Sequence, residues 1–178
     1  MGRPKQLLPY NGKSLLAHTV DTANDADANP IIVVVGANAS LLEKEIEEKK
    51  VHIVENKEWK EGMASSVRCG LNTLVRVAPS SDAVIIMVCD QPFVSSSLLN
   101  ELMATQKNTG KLIVTSQYEN AIGPPALFHK NIFSELLALK GDAGARKIIE
   151  QRGTDVATVL FKKGNIDIDT EADYKALL

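Results

Sequence analysis

The sequence predicts an α/β fold in which a mostly parallel sheet is covered by helices, and three observations carry that expectation. Short Val- and Ile-rich runs alternate with longer helix-like segments along the whole chain. The longest apolar runs, 31–35 and 83–89, are continuous rather than alternating, as strands covered on both faces require. The length of 178 residues, 44% of them hydrophobic and 24% charged, suits one compact domain over 1–178 that buries roughly 70% of its unfolded surface.

The elements follow in order. A helix is expected over 15–22, yet no strand-like run precedes it, so the sheet should lack its opening strand, a member that is normally central. Pro30 to Gly36 reads as a buried strand, and 40–50 as a helix capped by Ser40, with Leu41, Leu42 and Ile46 on one face. A shorter strand at 51–54 and a helix at 65–77 come next. The most apolar strand is 83–89, followed by a helix over 95–106 and a strand over 111–116, which is βαβ order. A short strand at 126–128 precedes helices at 131–140 and 143–152, separated by Gly141 and Asp142. A late strand at 156–161 and a helix from Glu171 to Leu178 close the chain, with no repeat or long linker to divide it.

Composition removes several function classes. The 20 Lys and Arg against 22 Asp and Glu leave a net charge of −2, so no basic field exists to hold a nucleic-acid backbone. Two isolated cysteines, Cys69 and Cys89, offer neither a zinc cluster nor a disulfide framework and suit a reducing compartment. The apolar runs are far shorter than the ~20 residues that span a bilayer. Met1 is followed at once by Gly2, Arg3, Pro4 and Lys5 rather than by a signal peptide, so the cytoplasm is the expected location.

Five segments carry chemistry. In Met1-Gly2-Arg3-Pro4-Lys5, Gly and Pro shape a turn beside a lysine, whose mobile ammonium can follow charge moving from a triphosphate to pyrophosphate. An exposed lysine near a terminus is equally a solvated surface group. In Gly62-Met63-Ala64-Ser65-Ser66, a Gly and two hydroxyls open a helix whose free N–H groups suit a phosphate or a base edge, although Ser65 serves as well as a cap and Gly70 as a packing site. Asp90, in Cys89-Asp90-Gln91-Pro92, ends the most apolar strand, where such sheets present their sites, and is a natural Mg²⁺ ligand. Asp before a turn also serves local hydrogen bonding.

Gly123-Pro124-Pro125 and Gly141-Asp142-Ala143-Gly144-Ala145-Arg146 are turn-rich. Asp142 can cap the helix after it, and Arg146 can pair with it or reach an anionic substrate. In Asp167-Ile168-Asp169-Thr170-Glu171, alternating acids share one face of an extended segment and can complete a metal site, while Thr170 caps the last helix with Asp173 at its third position.

Taken together and in this order, these segments resemble the molybdenum cofactor cytidylyltransferases, within the nucleotidyltransferases of three-layer Rossmann-like fold, over nearly the whole chain. The resemblance implies transfer of a cytidylyl group from CTP to the phosphate of the molybdenum cofactor, with Mg²⁺ as cofactor and a molybdoenzyme as recipient of the product. It implies Lys5 and Asp90 as catalytic residues and Asp90, Asp167 and Asp169 as metal ligands. Gly2, Lys5, Gly62, Ser65, Ser66 and Gly70 would bind the nucleotide, and Gly123, Pro124, Gly141, Asp142 and Arg146 the acceptor.

One departure is large. The family opens with a hydrophobic strand and a Leu-Ala-Ala-Gly-x-Ser-x-Arg loop directly before the Met-Gly that here is Met1-Gly2. About 15 to 20 residues of that pattern, one strand and a short loop, are missing from the chain. Two other readings stay open: a nucleotidyltransferase for sugar or polyol phosphates, and a catalytically inactive carrier of the molybdenum cofactor.

Overall fold

The computed structural model describes residues 4–119 and 121–177. A small hairpin of β1 (Pro9–Tyr10) and β2 (Lys13–Ser14) leads into α1 (Leu15–Asn24), which Ser14 caps by accepting from the Ala17 N–H at 3.2 Å. β3 (Ile32–Val35) pairs in parallel with β4 (His52–Glu55), and α2 (Ala39–Lys44) connects them. After α3 (Met63–Val77) come β5 (Ala83–Ile86), α4 (Ser96–Thr109), β6 (Ile113–Tyr118) and β7 (Ala121–His129). The chain ends with α5 (Phe133–Leu137), α6 (Arg146–Gln151), β8 (Val156–Leu160) and α7 (Glu171–Leu177).

β5, β7, β6 and β8 form one sheet in that order. β7 runs against β5 and β6, and β8 runs with β6, so three of its four strands share one direction. Because successive strand residues face opposite sides, the sheet divides its apolar residues between two cores. Val84, Ile86, Ile113 and Phe128 meet Leu71, Leu74, Leu136 and Ile148 of α3, α5 and α6. Ile85, Val114, Leu127 and Val159 meet Leu98, Leu99 and Leu102 of α4. The result is a three-layer α/β arrangement, and none of its described helices is long and apolar enough to cross a membrane.

Several boundaries differ from the sequence expectation, each for a tertiary reason. α2 stops at Lys44 rather than at residue 50, because a tightened stretch, with Ile46 N–H on the Glu43 carbonyl and Lys49 N–H on the Ile46 carbonyl, turns Ile46 into the core beside Val33 and Leu42. β7 is nine residues long instead of three, since it pairs along both edges. Its Pro124 and Pro125 fall where the register against β6 shifts between Thr115 and Ser116, so they remove no ladder bond. The expected helices over 131–140 and 143–152 shrink to α5 and α6, with 3-10 turns beside them. β5, the most apolar expected strand, has β7 as its one partner among the described residues and is only half-buried. Ahead of α1 the only strands among the described residues are those of the β1–β2 hairpin, which joins neither of the other sheets.

The two ends of the described chain meet. Leu8 and Leu15 pack with Ile168 and Tyr174, all buried, and the Tyr174 hydroxyl donates to the Pro9 carbonyl at 2.6 Å. Ile168 N–H donates to the Asp90 carbonyl at 3.0 Å, which lays the acidic segment alongside the turn that follows β5.

Candidate active site

Lys5, Asp90 and Asp169, far apart in sequence, come together because of that junction. Lys5 opens a 3-10 turn ahead of buried Leu8, and its Nζ donates to Asp90 Oδ2 at 2.6 Å and to Asp169 Oδ1 at 2.9 Å. Partial burial pulls the Lys5 ammonium down, but the hydrogen bonds and charges of Asp90 and Asp169 outweigh it and hold its pKa above the ordinary lysine value. β5 ends at Ile86 rather than at residue 89, so Asp90 stands in the turn that follows and not at the strand's end; its Oδ1 is buried and accepts no hydrogen bond. A buried carboxylate oxygen without a donor is costly, and a divalent cation would satisfy it.

The acids fit such an ion without enclosing it. Among the described residues no three His, Cys, Asp or Glu side chains form a metal-holding group, so Asp90, Asp167 and Asp169 do not make a closed cage. Magnesium needs only one or two protein carboxylates and completes its shell with water and phosphate. Asp167 is exposed beside the pair, with its carboxyl partly desolvated. Burial raises its carboxyl pKa, Gln91 opposes this by hydrogen bonding, and the charges of Asp90 and Asp169 push it further up. A raised pKa means that the fold favours the protonated acid. That contribution is complete below the ordinary aspartate range and is lost as pH rises through the raised value. Asp167→Asn is therefore expected to raise the cation-free thermal midpoint near pH ~7 and to give no gain below pH ~3; equal gains at both pH values would contradict the shift. Cys89, also beside this pair, is no nucleophile: burial, then the Asp90 charge, pushes its thiol up to about 11.

A second group gathers at the start of α3. Gly62 has φ +115°, and its missing side chain leaves room for the Gly141 loop: a Cβ there would collide with the Asp142 carboxylate and stand 2.6 Å from the Gly141 carbonyl oxygen. The Ala64 N–H donates to that carbonyl at 3.1 Å, so one free amide of the helix start is occupied by the loop. Arg68 ties the loop down further through the Leu139 carbonyl and Glu61, both at 2.6 Å. Gly141 and Asp142, expected on the acceptor side, thus rest on Gly62, expected on the nucleotide side.

The two serines differ. Ser65 is buried, donates to the Gly62 carbonyl at 2.8 Å and accepts from Asn56 Nδ2 at 2.8 Å, while Ser66 is half-buried and accepts from the same nitrogen at 3.1 Å. Gly70 lies against β3, where a Cβ would come 3.0 Å from Val34 Cγ2. Gly123 and Pro124 lie on β7, and a Cβ on Gly123 would collide with the Tyr118 hydroxyl. Arg146 opens α6, exposed and paired with Glu150 at 3.0 Å. Gly2 lies outside the described residues.

Asn56 and Tyr118 belong to these clusters and were not singled out from sequence. Each stands at the carboxyl end of a strand, Asn56 just after β4 and Tyr118 as the last residue of β6, and the positional argument that selects Asp90 would have reached both. Asn56→Ala leaves two Ser hydroxyls and the Glu58 N–H without their partner. It is expected to cost about 2 kcal/mol, read as a thermal midpoint lower by roughly 4–8 °C.

The chain is similar to several known proteins over nearly its whole length. The chain is 27% identical to nicotine blue oxidoreductase of Paenarthrobacter nicotinovorans over all of this chain and 90% of that one. It is 29% identical to purine catabolism protein PucB of Bacillus subtilis over 98% of this chain and 87% of that one. Among solved structures, a manganese complex of Rv0371C from Mycobacterium tuberculosis H37Rv superposes with TM-score 0.81 at 30% identity, covering 99% of this chain and 92% of that one. The family model for the MobA-like NTP transferase domain matches residues 1–156. The chain belongs to the MobA-like NTP transferase domain family, as a nucleotidyltransferase of that type.

Proposed function

We propose that the chain transfers a cytidylyl group from CTP to the phosphate of the molybdenum cofactor and releases pyrophosphate, with Mg²⁺ as its metal. The observation that carries this reading is the Lys5 ammonium held between Asp90 and Asp169 while Asp90 Oδ1 stays buried and unpartnered. This is an anion-neutralising cation beside carboxylates suited to a second one.

In the reaction, an acceptor phosphate oxygen attacks the α-phosphorus of CTP and forms the new P–O bond. The bond to the oxygen bridging the α- and β-phosphorus breaks, and pyrophosphate leaves with that electron pair. Mg²⁺, when bound, supplies positive charge that reduces repulsion between two anionic reactants and between the products. Asp90 would hold it, with Asp169 or Asp167 as second carboxylate. Lys5 would turn from the carboxylates to the phosphates and balance the charge that collects on the leaving group, and no covalent enzyme intermediate is needed.

Around Gly62, the remaining N–H groups of the α3 start and the Ser66 hydroxyl would meet the nucleotide. Gly123, Pro124 and Arg146 would meet the acceptor, with the Gly141–Asp142 loop between the two halves. The choice of CTP and of a pterin acceptor rests on the family resemblance of the Gly62 and Gly141 segments. One relative's name describes an oxidoreductase, and since one scaffold carries different chemistries, the reading rests on the site. The reaction belongs in the cytoplasm, with the product passing to a molybdoenzyme.

The test is pyrophosphate release from CTP or GTP, with and without the molybdenum cofactor, and again with EDTA. Release that needs both CTP and the cofactor and stops with EDTA is expected. Equal release with a sugar or polyol phosphate would replace the acceptor, and cofactor binding with no release from either nucleotide would make the chain a carrier.

A further inference from the structure

Gln91 follows Asp90, and nothing in the reaction above uses it. It is only 4% exposed. Its Nε2 donates to the Gly164 carbonyl at 3.1 Å across 73 positions of sequence. Its Oε1 is buried and accepts no hydrogen bond. An amide kept in a dry site with one end unused is poorly explained by packing, since a methionine of similar volume would avoid the desolvation.

The surroundings show what the amide does. Gln91 joins the turn after β5 to residue 164, at the head of the segment that carries Asp167 and Asp169, and the Ile168 N–H on the Asp90 carbonyl makes a second, backbone link. Tyr118 closes over the same point. A Cβ on Gly164 would stand 2.7 Å from Tyr118 Cγ and 2.6 Å from Phe161 Cδ1, and one on Gly123 would collide with the Tyr118 hydroxyl, so the ring fills the space both glycines leave open. It is further held edge-on to Phe161, at 6.4 Å between centroids. The Gln91 amide lowers the pKa of both the Tyr118 hydroxyl and the Asp167 carboxyl against the burial that raises them.

We infer that Gln91, backed by the Tyr118 hydroxyl, is a positioning residue that sets the spacing of Asp90 from Asp167 and Asp169, and so the affinity of the site for a divalent cation. Oε1 accepts no hydrogen bond in this structure, and the Tyr118 hydroxyl is the donor placed to close on it, which would fix the amide plane and keep Nε2 aimed at the Gly164 carbonyl. Since Tyr118 also touches Gly123, the same hydroxyl links the acceptor half of the site to its acidic half. The inference rests on the reading of Asp90 as a metal ligand.

Manganese binding to the full chain, followed by electron paramagnetic resonance of free Mn²⁺ without nucleotide, tests it independently of turnover. Gln91→Met and Tyr118→Phe are each expected to weaken binding roughly tenfold, the double variant to be no weaker than Gln91→Met, and Tyr118→Phe to melt as the parent does. Wild-type binding in both folded single variants, or effects that add in the double, would overturn the inference while leaving the metal reading intact, provided Asp90→Asn abolishes binding. If Asp90→Asn binds as the parent does, or the parent binds no Mn²⁺, the metal reading fails and the inference falls with it. Should Gln91→Met not fold, Tyr118→Phe alone decides.

Discussion

Asp90→Ala is expected to lower the rate of pyrophosphate release on the order of 100-fold or more, with a much smaller change in KM for CTP. Two properties of the carboxylate predict this. Oδ2 is a 2.6 Å acceptor for Lys5, and Oδ1 is the buried, unpartnered oxygen suited to a cation. Alanine removes both, leaving Lys5 with Asp169, whose side chain is 69% exposed and holds the ammonium through solvent-screened contact. The lost interactions act on charge that develops as pyrophosphate leaves, so kcat should fall rather than binding. Stability should change little, because one ion pair is lost together with one costly buried oxygen. A decrease below roughly tenfold in steady-state kinetics would remove Asp90 from the centre of the chemistry.

Gly62→Ala is expected to be the most damaging single-atom addition in the chain. Gly62 sits at φ +115°, a conformation few side chains adopt, and the atoms its Cβ would strike include the backbone of Gly141, at 2.6 and 2.7 Å. Backbone cannot yield as a flexible side chain does, so the Ala64 N–H bond to Gly141 and the contact with Asp142 must open together. A cost of about 3 kcal/mol follows, seen as a thermal midpoint lower by roughly 6–12 °C. Gly110→Ala is the control: φ there is +65° and a Cβ would meet nothing within 4 Å, so only the left-handed backbone term of about 1 kcal/mol applies. Similar losses in both variants would show that backbone conformation, not the contact between the two loops, governs Gly62.

Much of the architecture is legible before folding, for local reasons. The run Ile31 to Val35 and the Val-Ile run from Ala83 are β-branched and continuous, and Thr170 stands where a helix start needs a side-chain acceptor, whereas Ser40 does not cap α2, whose N-cap is Asn38 without a side-chain bond. Thr170 and Asp173 form the reciprocal cap their spacing predicts, with Thr170 N–H on Asp173 Oδ2 at 2.7 Å and Asp173 N–H on the Thr170 hydroxyl at 3.2 Å. The short form of α2 and the long form of β7 are not legible, because burial of Ile46 and pairing along both edges of β7 are decided by residues distant in sequence.

The same division runs through the site. By itself the sequence determined the residue types and their order: a lysine after a Gly and a Pro, a glycine and two serines opening a helix, an aspartate after an apolar run, and alternating acids near the end of the chain. Such features are local, set by propensity, capping and side-chain chemistry within a few residues. Only the tertiary structure decided that Lys5 bridges Asp90 and Asp169, that Ser65 and Ser66 are held by Asn56, and that Asp142 lies on Gly62. Those pairings join segments 9 to 164 positions apart, and their geometry comes from buried contacts such as Leu8 on Ile168 and Tyr174, whose formation depends on the closed core rather than on neighbours in the chain.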